Sequence, residues 1–298
     1  MKNDSLVKRQ LYKVAALLIP DSLFVRLKFR KAMGRWPDLK NPRTFNEKLN
    51  WLKLHDHNPL YTRMVDKYEA KKYVAGIIGE EYIIPTYGVW DKSEDIDFDS
   101  LPDKFVMKAT HDSGRVIICH DKSSLDIDWA RAEMKNSLQR DFYAVTREWP
   151  YKNVKPRIIA EKLLENPVGE NKSISLKSIN DYKFFCFNGK VEFMKVDFDR
   201  STNHRANYYD RYFNFLEFGE EAFPFMPDKP LNKPVTMHTM TRLAEKISQG
   251  KSFVRVDFYE NNSKVYFGEM TFYPASASGR FIPESADLEL GKLLKLPE

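Results

Sequence analysis

The run Phe253-Val254-Arg255-Val256-Asp257-Phe258-Tyr259, followed after a polar turn by Val265-Tyr266-Phe267-Gly268-Glu269-Met270-Thr271, puts an arginine and two carboxylates on otherwise apolar strands. Val254, Val256 and Phe258 alternate with Arg255, Asp257 and Tyr259, the period of a half-buried strand, and the two runs read as one β-hairpin. Charges on such a surface need a partner, because an unpaired buried charge is costly. Magnesium with a polyphosphate is one partner that fits: carboxylates hold a hard cation and arginine meets phosphate oxygens. An internal arginine–carboxylate salt bridge fits the same residues. Register decides the geometry. A three-residue loop at Asn261-Asn262-Ser263 would set Arg255 opposite Glu269, with Asp257 a diagonal neighbour at about 7–8 Å on the same face. A two-residue loop would send Glu269 to the other face.

Three further segments carry charge where apolar residues surround it. Lys108 lies within Phe105-Val106-Met107-Lys108-Ala109 and must snorkel or neutralise an anion. The turn after it, Thr110-His111-Asp112-Ser113-Gly114, could cup an anion with its backbone N–H groups. Glu161-Lys162-Leu163-Leu164 ends a strand whose backbone could meet an adenine edge or could be an ordinary strand edge. Asp181 and Lys183 share a strand face, suited to ribose and phosphate or to a cross-strand salt bridge. Other signals mislead. Gly250-Lys251-Ser252 imitates the end of a P-loop, yet Glu245 stands where that motif needs glycine. Asp-x-Asp occurs four times; only Asp197-Phe198-Asp199 ends a strand, the placement a metal-dependent glycosyltransferase would use.

The elements that must position these residues follow from the same pass. Thr44 with Glu47, and Asp66 with Glu69, have capping-box spacing and predict helices near 45–56 and 67–77. A strand is expected at Tyr82–Pro85, a hairpin over Lys104–Ala109 and Arg115–His120, a helix over 127–140, and a strand over Arg157–Leu163. Asp181–Phe187 and Lys190–Val196 form a hairpin across Asn188-Gly189. Helices are expected at 236–249 and 286–295. The first hundred residues are thus mostly helical, and hairpins interleaved with helices make an α+β protein with antiparallel sheets. With 298 residues, 42% hydrophobic and 30% charged, the chain can bury a sizeable core. A net charge of +6 implies an anionic partner without choosing one. Cys119 and Cys186 sit in apolar runs, which argues for a reducing compartment; a cytoplasmic location is expected. No nucleic-acid module is recognisable. Val14 to Ile19 is too short to cross a membrane. Leu6 to Phe29 is basic and amphipathic, and can lie against an anionic membrane surface or pack on its own domain.

Taken in order, Trp36 to Lys48, Asp66-Lys67, Leu101 to Lys108, His111 to Gly114, Asp181 to Gly189, Arg255 to Tyr259 and Gly268 to Phe272 resemble the TupA-like branch of the ATP-grasp superfamily, over about residues 30–295. The resemblance implies an ATP-grasp fold, with two antiparallel-sheet subdomains clasping a nucleotide after a helical region at 1–100, a lid subdomain at 101–160 and a metal-bearing subdomain at 161–298. It further implies that Lys108, Ser113 and Gly114 cover the ATP phosphates, that Glu161, Lys162, Leu163 and Leu164 line the adenine, and that Asp181 lies near ribose and Lys183 near phosphate. Arg255 would meet the γ-phosphoryl region, with Asp257, Glu269 and Thr271 at Mg2+. Many relatives carry asparagine where Thr271 stands, and a hydroxyl is the weaker ligand. The activity implied is ADP-forming carboxylate–amine ligation through an acyl phosphate. The branch points to a uronic acid of a capsular or cell-wall polysaccharide precursor as carboxylate and an amino acid as amine. The segments 200–211 and 276–280 could bind the acidic sugar or be solvated loops, with Arg280 the preferred carboxylate partner. A glycosyltransferase using Asp197 and Asp199, and a non-catalytic nucleotide- or glycan-binding protein, are the rival classes.

Overall fold

The computed structural model describes residues 6–165, 179–200, 203–229 and 231–297. In chain order, the helices α1 (Leu6–Leu18), α2 (Asp21–Met33), α3 (Phe45–His55), α4 (Leu60–Val65) and α5 (Glu69–Ile78) come first. Next come β1 (Thr86–Trp90), β2 (Phe105–Ala109), β3 (Val116–Cys119), α6 (Ile127–Leu138), α7 (Phe142–Thr146) and β4 (Ile158–Lys162). The remainder is β5 (Asp181–Phe187), β6 (Lys190–Phe198), β7 (Arg205–Asp210), β8 (Phe215–Leu216), β9 (Gly219–Glu220), α8 (Met237–Ser248), β10 (Phe253–Asn261), β11 (Lys264–Thr271), β12 (Phe281–Ile282) and α9 (Ser285–Leu293). The class is α+β, as the hairpin pattern predicts. Among the described residues no helix is long and apolar enough to cross a membrane.

Local chemistry explains most boundaries. Pro20 separates α1 from α2, since its ring cannot sit within one continuous helix. Thr44 caps α3 with both halves of the capping box formed. Asp66 Oδ1 accepts from the N–H groups of Tyr68 and Glu69, so α5 begins at Glu69, two residues after the expected start. The strand expected at Tyr82–Pro85 instead begins at Thr86, after a 3-10 turn at Glu80–Tyr82. Pro85 lacks the N–H that a ladder needs there.

Two compact units result, each assembled from alternating stretches of chain: residues 1–24, 57–73 and 84–163, and residues 25–56, 74–83 and 164–298. The first holds a four-stranded antiparallel sheet in the order β1-β4-β2-β3. Phe105, Met107, Ile117, Ile158 and Ala160 form its inner face, packed with Ala130 and Met134 of α6. The second holds a six-stranded antiparallel sheet in the order β11-β10-β5-β6-β7-β8. One face of that sheet carries Phe184, Cys186, Val254 and Val256, with α8 packed against β5, β6 and β10. Strand alternation sends the charged residues of β5, β6 and β10 to the other face.

The Thr44–Lys48 stretch is a fastening of the second unit. Glu47 is buried and its carboxylate accepts from the backbone N–H groups of Asp38, Arg43 and Thr44. Asn46 donates to Asp287 Oδ1 at 2.9 Å, and Lys48 Nζ donates to the carbonyls of Gly291 near the end of α9 and of Leu294 just after it.

Candidate active site

The β10–β11 hairpin is built differently from either expected register. Asn262 and Ser263 close a two-residue turn with positive φ at both, and Asn261 pairs with Lys264. By itself that turn would set Asp257 opposite Gly268 and put Glu269 on the α8 face. A bulge corrects it: Phe258 pairs with Phe267 while Asp257 pairs with Glu269, leaving Gly268 as the extra residue. A Cβ at Gly268 would stand 3.1 Å from the Asp257 carbonyl oxygen, so the position favours glycine. Asp257 is therefore directly opposite Glu269, not diagonal to it, and Arg255 is opposite Thr271.

Arg255 grips Asp257 bidentately, with Nε to Oδ1 at 2.7 Å and Nη2 to Oδ2 at 2.6 Å, and reaches Glu269 Oε1 at 3.2 Å. The Glu269 side chain is 43% exposed whereas Asp257 is buried. Lys183, on the neighbouring β5, donates to Asp181 and to Asp257 Oδ2, the latter at 2.9 Å. Burial works to lower its pKa, but Asp181 and Asp257 outweigh burial and hold the ammonium charged well above the lysine range. Burial raises Asp181 above the aspartate range against the pull of Lys183. Among the described residues, Asp181 Oδ1 has no hydrogen-bond partner.

Charge continues along the same face, where Lys195 and Glu220 join residues that the sequence singles out. Lys195 Nζ donates to Glu220 Oε2 at 2.6 Å, and Asp197 lies 3.5 Å from Lys195 and 3.3 Å from His204. Arg200 reaches Asp181 at 3.0 Å. Burial would raise Asp197, yet Lys195, Lys183, His204 and Arg200 together hold it low. Asp199 turns away and pairs with Lys229, so the Asp197–Asp199 doublet does not converge. Arg205–Asp210 is strand β7, with Ala206–Tyr209 buried, where a solvated loop was one reading. Arg280 donates through Nε to the Ala32 carbonyl at 2.6 Å. Just before it, Ala275, Ser276 and Ala277 all have left-handed φ, and Asn50 and Lys53 of α3 hold the carbonyls of Ala277 and Ser276.

The first unit has its own charged cluster. Glu161 on β4 is nearly fully buried and pairs with both Lys108 of β2 and Lys71 of α5. Burial would raise its pKa, and the two lysines outweigh burial and hold it low. Lys71 also donates to the Ile84 carbonyl at 2.7 Å and Thr86 Oγ1 at 2.8 Å. Two lysines on one carboxylate leave one positive charge in excess. Lys71 shares a helix stripe with buried Val74 and Ile78, which is the signal that could have found it. Ser113 and Gly114 form an exposed turn anchored by Asp112, which pairs with Arg140 at 2.7 Å. Lys162 is exposed, and Leu163 and Leu164 are half-buried at the point where the chain leaves the first unit.

The donor set suits magnesium. Among the described residues no three His, Cys, Asp or Glu side chains form a metal cluster. Mg2+ is commonly held by one or two carboxylates plus phosphate oxygens and water, and Asp257 facing Glu269 supplies the two.

The sequence profile described as TupA-like ATPgrasp matches residues 47–295. The chain belongs to the TupA-like ATP-grasp family. Its three antiparallel sheets, of four, six and two strands (the last pairing β12 with β9), and its nine helices among the described residues are thus an ATP-grasp fold. No curated protein matches the sequence. Among solved structures it is similar to a D-alanine–D-alanine ligase from Bacillus anthracis complexed with ATP, at 16% identity and a TM-score of 0.43, over 77% of this chain and 62% of that one. It is also similar to N5-carboxyaminoimidazole synthetase from Staphylococcus aureus, at 12% identity and 0.39, over 70% and 44%. A third is the ATP-grasp ligase PsnB complexed with a phosphomimetic variant of its minimal precursor, Mg and ADP, at 11% identity and 0.41, over 81% and 60%. The chain spans less than two thirds of the length of each of these three structures, and its family rests on the profile match.

Proposed function

We propose that this ATP-grasp protein is an ADP-forming carboxylate–amine ligase. A carboxylate oxygen of the first substrate attacks the γ-phosphorus of ATP, the bond to the β-bridging oxygen breaks, and ADP leaves. The amine nitrogen of the second substrate then attacks the acyl carbon, the carbon–oxygen bond to phosphate breaks, and the nitrogen loses a proton to solvent. The products are an amide, ADP and phosphate. Phosphoryl transfer of this kind needs positioning and charge neutralisation more than covalent protein chemistry.

The observation that carries this reading is the bulged register that sets Asp257 against Glu269 with Arg255 beside both. These carboxylates would hold Mg2+, with the Thr271 hydroxyl across from Arg255 as the weaker neighbour; the cation neutralises phosphate charge when bound. Arg255 is already oriented as a planar donor fork and would turn from Asp257 toward phosphate oxygens. Lys183, held protonated, is the second cation of that face. The Oδ1 of buried Asp181, without a hydrogen-bond partner among the described residues, suits a hydroxyl donor such as ribose. In the first unit, the excess charge of Lys71, Glu161 and Lys108 and the exposed Ser113–Gly114 turn suit the phosphates. The Glu161 side chain is taken up by its lysines, so the adenine would meet the backbone from Glu161 to Leu164.

For substrates we propose a uronic acid of a capsular or cell-wall polysaccharide precursor as carboxylate and an amino acid as amine, with Arg280 toward the sugar. The glycosyltransferase alternative loses ground on one observation: Asp197 and Asp199 are committed to different lysines. The test is release of ADP and phosphate from ATP and magnesium across a panel of uronic acids crossed with amino acids. ADP release that requires both a carboxylate and an amine supports the ligase. Nucleotide binding without acceptor-dependent turnover would make the protein a non-catalytic binder.

A further inference from the structure

Helix α1 presents its apolar residues outward. Leu17 is 86% exposed, Leu18 76%, Leu11 64% and Val14 50%. On a helical projection these four fall within an arc of about 120°, one continuous stripe. The opposite side is the one that packs: Arg9 Nη1 donates to the Asn136 carbonyl of α6 at 3.2 Å, and α1 lies against α7. Arg9, Tyr12 and Lys13 line the crease with Ala144 and Val145. A helix serving only to cover its own unit would turn its leucines the other way. Single exposed leucines are ordinary; four on one stripe of one short helix form a patch.

Charge says what covers it. The α1 sequence contains Lys8, Arg9 and Lys13 and no acidic residue. Lys13 is exposed and borders the stripe beside Leu17. A second copy docked on this face would bring like charges together. Four side chains would also bury far less than the roughly 800 Å² per partner of a stable interface. An apolar stripe bordered by the Lys13 cation instead fits the boundary between acyl chains and anionic headgroups, where the leucines sink and the lysine stays at phosphate level.

We propose that α1 docks the protein on the surface of an anionic lipid bilayer, through Leu11, Val14, Leu17 and Leu18 with Lys13 at the headgroups. This inference does not rest on the ligase reading.

The test is flotation of the full chain with vesicles of phosphatidylcholine alone and of phosphatidylcholine mixed with phosphatidylglycerol. The wild type should float with the anionic vesicles, less with the neutral ones and less at high salt. The double variant Leu17→Glu/Leu18→Glu should bind at least about tenfold less, and Lys13→Glu should narrow the preference for anionic lipid. Both changes are at exposed positions, and an unchanged circular dichroism spectrum and melting temperature would confirm the fold. Equal recovery of wild type and double variant in the unbound fraction overturns the proposal. So does a wild-type dimer that the double variant converts to monomer without lipid, since the stripe would then be a contact between copies.

Discussion

The charged side chains of the two clusters are held by opposite charge, and the direction of holding differs between them. Glu161 is one carboxylate between two lysines, whereas Lys183 is one lysine among Asp181, Asp257 and, at 3.5 Å, Asp197. Replacing one member of such a buried set leaves the others under-compensated. Lys71→Met should therefore lower stability by about 1–3 kcal/mol, because Glu161 keeps Lys108 as its remaining partner. Urea unfolding monitored by circular dichroism would measure it; a variant as stable as wild type would mean that Lys71 is a bystander. Arg255→Lys keeps the charge but loses the fork that spans Asp257 and reaches Glu269. It should cut the turnover rate at least about tenfold with a folded protein, whereas a merely structural arginine would leave the rate intact and lower only the melting temperature.

At the scale of elements, the site depends on one irregularity. The Asn262–Ser263 turn and the Gly268 bulge each shift register, and together they leave Asp257 facing Glu269. Gly268→Val would press a branched side chain toward the Asp257 carbonyl and the Tyr259 ring, which already lie 3.1 and 3.0 Å from the ideal Cβ position. The variant should lose most magnesium-dependent turnover while α8 and the Phe184 face keep the sheet folded. Full activity would show that the bulge is dispensable. This irregularity is also where sequence reasoning reached its limit. The hairpins at Asn188-Gly189 and over β2–β3, the capping box at Thr44 and the α8 helix were all legible, because local turn and cap chemistry sets them. The bulge had a signal, a glycine inside a strand pattern, but strand periodicity alone does not say whether such a glycine is inserted or paired. Lys71, Lys195 and Glu220 escaped because their roles depend on pairings far apart in sequence, which spacing does not encode.

For the molecule as a whole, pH should act on the buried pairs in a defined sense. The Glu161 pKa is lowered from 4.5 in the folded state, so its stabilising contribution is fully present above that value and is lost as pH falls through the folded value. Thermal unfolding followed downward from neutral pH should show stability falling below about pH 4.5, and Glu161→Gln should flatten that part of the curve. An unchanged acid limb in the variant would assign the loss to other carboxylates. The net charge of +6 suits anionic ligands in general. The role proposed for Asp257, set against Glu269, is to hold magnesium for ATP. The most direct test is acceptor-dependent ADP release by wild type, Asp257→Asn and Asp197→Asn under identical magnesium concentrations. That role predicts a loss of at least about a hundredfold for Asp257→Asn, in line with removal of a principal electrostatic stabiliser, and a smaller loss for Asp197→Asn. Full activity in Asp257→Asn with activity abolished in Asp197→Asn would contradict it.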